Sequence, residues 1–148
     1  MKYILGNWKM NATHEEAAAL ARSVAGLTAP SGVETALFPP FTSLHIVADV
    51  VAGTRIGLGA QDCSSEAKGA FTGEISAAML KDSGCRYVIV GHSERRTLHA
   101  ESSEFVRRKA DAAIKAGLKP VICVGENNEE RESGRYLQVI ARQVEQSL

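Results

Sequence analysis

Two uninterrupted apolar runs, Tyr87-Val88-Ile89-Val90 and Val121-Ile122-Cys123-Val124, indicate the fold class of this chain. Neither run alternates apolar with polar residues, as a strand with one solvated face would. A short apolar run that ends at glycine is typical of a strand covered on both faces, as in a parallel sheet flanked by helices. The two runs therefore predict an α/β protein.

Shorter apolar segments precede these runs, and helical patterns separate them. The predicted strands are Tyr3–Asn7, Glu34–Phe38, Ile56–Ala60, Tyr87–Gly91 and Pro120–Gly125. A strand start every twenty to thirty residues or so indicates repeated βα units. This spacing is compatible with an open doubly wound sheet and with a (β/α)₈ barrel.

Capping residues and apolar periodicity predict the helices. Thr13 begins a capping box, after which Ala17, Leu20, Ala21 and Val24 share one face. The other predicted helices are Leu44–Val51, capped by Thr42 or Ser43 and ended by Gly53, then Ile75–Lys81, Glu101–Ala116, and Glu129–Leu148 with a break near Ser133-Gly134.

Composition excludes several classes of protein. Lys plus Arg equals Asp plus Glu at 17 each. The basic clusters Arg95-Arg96 and Arg107-Arg108-Lys109 are interpreted as solvated helix faces, so no nucleic-acid partner is expected. No apolar stretch approaches membrane length. Cys63, Cys85 and Cys123 have no C-x-x-C spacing, which favours a reducing, cytoplasmic setting and no metal site.

Polar side chains follow three of the predicted strands. The first strand runs into Asn7-Trp8-Lys9-Met10-Asn11, the fourth into Gly91-His92-Ser93-Glu94-Arg95-Arg96, and the fifth into Gly125-Glu126. Each residue alone has an ordinary interpretation as a surface lysine, a packed histidine or a first-turn acid. In parallel α/β folds, however, functional groups collect at the carboxyl ends of strands, so these side chains are predicted to meet.

These segments closely resemble, in the same order, those of the triose-phosphate isomerase family. Phe38-Pro39-Pro40-Phe41 and Gly69-Ala70-Phe71-Thr72-Gly73-Glu74 also resemble that family's loops after strands two and three. The resemblance covers essentially the whole chain and implies the (β/α)₈ TIM barrel. About five of its eight βα units are present. Residues 1–148 are thus expected to form a single, C-terminally incomplete barrel domain, with a flavodoxin-like sheet as the alternative.

The resemblance implies an isomerase that interconverts dihydroxyacetone phosphate and glyceraldehyde 3-phosphate through an enediolate, without a cofactor. Lys9 would supply positive charge near the substrate, and Asn7 would position a donor beside it. His92, just before a helix start, would act as a neutral electrophile. Glu94 would order Lys9 and His92, and Glu126 would belong to the scaffold beneath the family's lid.

The family's general base, lid and phosphate-binding loops follow later strands, so negligible activity is expected of these residues alone. Exposed edge strands predict self-association, loose packing or a non-barrel arrangement. The segment with Thr72, Gly73 and Glu74 resembles the loop that one subunit inserts into its partner near Asn7–Asn11, which predicts a homodimer. The alternatives are a non-catalytic partial barrel and a module that binds phosphorylated anions through Lys9.

Overall fold

Five parallel strands form one sheet in the order β1-β2-β3-β4-β5. The structure, a computed structural model, describes residues 2–27 and 30–148. The strands are β1 (Lys2–Asn7), β2 (Val33–Phe38), β3 (Ile56–Ala60), β4 (Tyr87–Val90) and β5 (Lys119–Ile122). Neighbours along the chain are neighbours in the sheet, whereas the order reverses in a doubly wound sheet. The structure is therefore a half-barrel, and both the flavodoxin-like and the non-barrel alternatives are wrong.

Helices follow each strand. They are α1 (His14–Ala25), α2 (Leu44–Val51), α3 (Ala77–Asp82), α4 (Ser93–Leu98), α5 (Ser103–Lys115), α6 (Asn128–Glu132) and α7 (Tyr136–Ser147). The predicted break near Ser133-Gly134 is confirmed, since α6 ends before it and Gly134 has a φ of 73°. No helix in residues 2–27 or 30–148 is long and apolar enough to cross a membrane.

Local capping chemistry sets most helix starts. The capping box at Thr13 is confirmed, because its side chain and that of Glu16 each bind the other's backbone N–H. The Ser76 and Ser102 hydroxyls cap α3 and α5, so both helices begin later than predicted. Of the two residues predicted to cap α2, Ser43 occupies the N-cap position, but it does not cap the helix through its side chain. A 3-10 turn over Phe41–Ser43 precedes that helix, and the hydroxyl makes no capping bond.

The helical face predicted for α1 is only partly correct. Ala17 and Ala21 are fully buried, and Val24 packs against the same core. Leu20 is 45% exposed, although it was predicted on the buried face. At about 100° per residue, Leu20 lies at one end of the arc that Ala17, Ala21 and Val24 share on the helix, where solvent can reach its side chain.

The two faces of the sheet pack into separate cores. Val88 and Val90 belong to the core between the strands and the helices. Tyr87 and Ile89, which alternate with them, lie with Ala36 in a smaller cluster of strand residues on the other face. Adjacent strand residues point to opposite faces, so the continuous apolar run of β4 is explained by burial on both sides.

One glycine is required for this inner packing. A Cβ atom at Gly59 would overlap the ring of Phe38, which is itself fully buried. The ring therefore occupies space above β3 that only a glycine leaves free.

Candidate active site

A cavity of about 410 Å³ opens at the carboxyl ends of the strands. Its lining includes Asn7 and Lys9 after β1, Gln61 after β3, and His92 and Glu94 after β4. A groove of about 560 Å³ lies between α3 and α5, away from these strand ends. The cavity at the strand ends is the candidate site, because side chains that follow three strands converge there.

The backbone of Lys9 is held in an unusual conformation. Its φ is 55°, in the left-handed region that non-glycine residues rarely adopt. The Lys9 N–H donates to Asn7 Oδ1 at 3.0 Å, and the Lys9 carbonyl accepts from Gln61 Nε2 at 2.9 Å. Strained backbone of this kind is maintained only by surrounding contacts, and here both polar backbone groups are fixed.

The Lys9 side chain forms an ion pair across the cavity. Its Nζ lies 2.6 Å from Glu94 Oε1, and both side chains are about half exposed, at 52% and 48%. The hydrogen bond from Lys9 lowers the pKa of Glu94, and the Lys9 charge acts in the same direction. Glu94 is therefore a carboxylate at neutral pH, and it holds the ammonium of Lys9 at the strand ends.

The imidazole of His92 caps the next helix. His92 precedes α4, and its Nδ1 accepts a hydrogen bond from the Glu94 backbone N–H at 3.2 Å. Glu94 Oε2 lies 3.6 Å from the same nitrogen, which is longer than a hydrogen bond. A ring nitrogen that accepts cannot also carry the proton, so the shorter backbone contact favours the neutral tautomer with its proton on Nε2. The 22% exposed side chain lines the cavity and can donate a hydrogen bond there.

Gln61 is a site residue that the sequence analysis did not identify. Its Nε2 donates to the carbonyls of both Lys9 and Phe38, at 2.9 Å and 2.8 Å. The sequence signal for Gln61 is the same as for Lys9 and His92, because Gln61 is a polar residue directly after a predicted strand.

A largely buried cluster of four charges borders the cavity, and two of its members, Asp62 and Arg95, are part of the cavity lining. Lys109 Nζ is 2.8 Å from both carboxylate oxygens of Asp62 and 2.5 Å from Glu101 Oε1. Arg95 Nε is 2.9 Å from Asp62 Oδ2 and 2.6 Å from Glu101 Oε1. The predicted solvated faces at Arg95-Arg96 and Arg107-Arg108-Lys109 are thus wrong for Arg95 and Lys109, whose charges pair with Asp62 and Glu101. The prediction is also wrong for Arg96, whose partly buried guanidinium binds backbone and serine oxygens.

The pKa values of the two carboxyls of this cluster are shifted in opposite directions. Burial raises the pKa of Asp62 above its ordinary value, although hydrogen bonds and charges from Lys109 and Arg95 oppose it. For Glu101, burial also raises the pKa, but Lys109 and Arg95 outweigh it and the net pKa is lowered. Glu101 Oε2 is buried without a hydrogen-bond partner in the described part of the chain.

Two predicted groups lie apart from the cavity lining. Glu126 Oε1 pairs with Arg131 Nη1 at 2.8 Å. A hydrogen bond from its own backbone N–H lowers the pKa of Glu126, and Arg131 adds to this effect. Thr72, Gly73 and Glu74 form an exposed turn in which Gly73 has a φ of 90°.

Within residues 2–27 and 30–148, no cluster of His, Cys, Asp or Glu is arranged to hold a metal ion.

Comparison with known proteins gives a consistent assignment. The family model for triosephosphate isomerase matches residues 2–148. The triosephosphate isomerase of Bordetella pertussis is 52% identical over 144 residues, which cover 97% of this chain and 58% of that protein. The Chloroflexus aurantiacus enzyme is 51% identical over 146 residues, covering 98% of this chain and 58% of that protein.

A solved structure agrees with the sequence relatives. The crystal structure of triosephosphate isomerase from Bartonella henselae superposes with a TM-score of 0.88 at 45% identity, covering 99% of this chain and 61% of that chain. The chain thus spans about three fifths of the length of the relatives it matches, and it belongs to the triosephosphate isomerase family.

Proposed function

We propose that this chain supplies the electrophilic, positively charged side of a triose-phosphate isomerase site within one barrel-type domain. One observation carries the proposal: Lys9, His92 and Glu94 meet in a single cavity with the ammonium and the imidazole Nε2 available to an anion. The substrates proposed are dihydroxyacetone phosphate and glyceraldehyde 3-phosphate.

The reaction needs stabilisation of negative charge on oxygen. A proton beside a carbonyl is weakly acidic, and its removal places charge on the carbonyl oxygen as an enediolate forms. The Lys9 ammonium has one contact with Glu94 in the described chain and can direct its other N–H groups to the substrate. It would bind the phosphate and the developing oxyanion.

His92 is proposed to polarise the carbonyl and to move a proton between the two oxygens. A neutral imidazole with its proton on Nε2 can donate to an oxyanion and then take a proton from the neighbouring hydroxyl. The Glu94 N–H fixes this tautomer through Nδ1. Because Asn7 Oδ1 is engaged with the Lys9 N–H, the Asn7 amide nitrogen is the group left to donate to substrate.

The carboxylates of the cavity are poorly placed to act as the general base. Glu94 is bound to Lys9, and Asp62 is bound to Lys109 and Arg95. The contact with Lys9 lowers the basicity of Glu94, because the contact is lost when the carboxylate takes a proton. Burial raises the pKa of Asp62, but Lys109 binds both of its oxygens and Arg95 binds one, so neither oxygen is free to take a proton from the substrate. We therefore expect these 148 residues to turn over substrate slowly by themselves.

Self-association in a reducing compartment is part of the same proposal. Phe71, beside the turn with Thr72, Gly73 and Glu74, is 45% exposed, and Met10 at the cavity is 95% exposed. Exposed apolar side chains at both places support a homodimer in which the turn of one copy packs near β1 of the other.

The three cysteines are unpaired thiols, which supports a cytoplasmic setting.

An added base tests the proposed chemistry. The isomerisation rate of glyceraldehyde 3-phosphate is measured with and without a small carboxylate such as acetate, for the chain and for His92→Gln. We expect a rate that rises with acetate and falls by about 10²–10³-fold in His92→Gln, the loss typical of an oxyanion donor. Equal rates in the two proteins at every acetate concentration would refute the role of His92. Lys115→Met, an exposed change on α5, is the control.

A further inference from the structure

The guanidinium of Arg96 binds four oxygens from four segments of the chain. Its Nε donates to the Gly91 carbonyl after β4 at 2.8 Å. Nη1 donates to Ser103 Oγ on α5 at 3.0 Å. Nη2 donates to the Cys123 carbonyl after β5 at 3.2 Å and to Ser147 Oγ on α7 at 3.3 Å. One side chain therefore joins the carboxyl ends of two strands to two helices.

These acceptors are all neutral. Among the residues that the structure describes, no carboxylate lies within ion-pair distance of Arg96. Burial lowers the pKa of Arg96 from its ordinary value, but a guanidinium stays charged. Charge pairing therefore does not explain this residue. The need for an arginine is explained by its planar guanidinium with five N–H donors, since a lysine ammonium cannot reach four such oxygens.

Arg96 also holds the backbone carbonyl that precedes the His92 α-carbon, since its side chain binds the Gly91 carbonyl at 2.8 Å. The His92 carbonyl accepts the backbone N–H groups of Arg95 and Arg96 at 2.9 Å and 3.0 Å, so that bond is part of the helix start and does not depend on the guanidinium. Gly91 has a φ of 68°, and a Cβ there would lie 2.7 Å from Val106 Cγ1 and 3.0 Å from Arg96 Nη2. The guanidinium thus packs directly on the glycine that precedes His92.

We propose that Arg96 is a positioning residue for His92. By fixing the Gly91–His92 peptide unit, Arg96 sets the direction in which the imidazole leaves the backbone. That direction keeps Nδ1 on the Glu94 N–H, which leaves Nε2 as the ring nitrogen that can act in the cavity lined by His92. The functional meaning of this role rests on the proposed electrophilic function of His92, whereas the geometry can be tested without it.

The imidazole nitrogens of His92 report this geometry by ¹⁵N NMR. In the unaltered chain, we expect the neutral form of the imidazole to be a single tautomer, with separate resonances for an unprotonated Nδ1 and a protonated Nε2. In Arg96→Lys, which keeps the charge, we expect the two resonances to move toward each other as the tautomers mix. Arg107→Lys, an exposed arginine on α5, is the matched control and should leave His92 unchanged. An unchanged His92 in folded Arg96→Lys would overturn the proposal.

A second variant covers the case in which Arg96→Lys unfolds. Ser103→Ala with Ser147→Ala removes two of the four acceptors and leaves α4 intact. We expect the same change in the His92 resonances at smaller amplitude, and no change would count against Arg96.

Turnover with added acetate separates this proposal from the function on which it rests. We expect Arg96→Lys to lower kcat by about a hundredfold with KM unchanged, as for a displaced catalytic group. A rise in KM with kcat unchanged would overturn the positioning role. If neither the unaltered chain nor Arg96→Lys turns over substrate, the isomerase proposal fails, and the NMR result still decides the role of Arg96.

Discussion

Replacing Lys109 with methionine should lower the free energy of unfolding by about 3–5 kcal/mol, the cost of removing one partner from a buried ion pair. The Lys109 side chain is 2% exposed, and its Nζ is the shared donor to Asp62 and Glu101. Methionine preserves the aliphatic stem and removes the ammonium. Two buried carboxylates are then left with Arg95 alone, and their desolvation is no longer compensated.

Urea unfolding followed by far-UV circular dichroism measures this loss. Lys115→Met, on the exposed side of the same helix, is the matched control and should change stability by no more than about 0.5 kcal/mol. The double variant Asp62→Asn/Lys109→Met should lose less free energy of unfolding than the sum of the losses in the two single variants, because the two groups interact directly. Equal midpoints for Lys109→Met and Lys115→Met would refute the reasoning.

The pH dependence provides a second check on the same cluster. The folded pKa of Glu101 lies below its ordinary value of 4.5. Its contribution to stability is therefore complete above that pH and is lost as the pH falls through the folded pKa. In Lys109→Met the carboxylates lose the ammonium and become easier to protonate. The difference in free energy of unfolding between the unaltered chain and Lys109→Met should thus become smaller from pH 7 toward pH 3. A difference that does not change with pH would contradict this explanation.

Three further predictions concern separate parts of the molecule. Gly59→Ala should lower the free energy of unfolding by about 1–3 kcal/mol in the same urea assay, because the added methyl group overlaps Phe38. The Glu94 carboxyl should titrate below 4.5 in ¹³C NMR and return toward that value in Lys9→Met, since the Lys9 hydrogen bond lowers its pKa. Burial raises the pKa of Cys85 to about 12, so iodoacetamide at pH 8 should modify it slowly until urea unfolds the chain.

The strands could be predicted because their signal is local. The apolar run of β4 predicted burial on both faces, and Val88 and Tyr87 indeed pack into different cores. The rule that functional groups gather at the carboxyl ends of strands predicts that Lys9 and His92 lie near each other, and both line the same cavity. Strand order could not be obtained this way, since βα repeats alone fit both a barrel and a doubly wound sheet.

Residues that depend on distant partners were missed. Glu101 was predicted as the first residue of a helix, but its carboxylate lies in a buried cluster and Ser102 caps α5. Lys109 and Arg96 fit a solvated helix face by local pattern. Lys109 instead pairs with Asp62, 47 positions away, and Arg96 joins two strand ends. Local periodicity contains no information on partners at such separations.

Binding of a phosphorylated hydroxamate that mimics the enediolate, measured by calorimetry, tests the central claim most directly. The chain should bind it, and Lys9→Met should bind roughly tenfold to a hundredfold more weakly, because a hydrogen bond to a charged group contributes about 1.5–3 kcal/mol. Lys115→Met should bind as the unaltered chain does. Absence of binding, or equal affinity in Lys9→Met, would contradict the assignment of this cavity as the electrophilic side of an isomerase site.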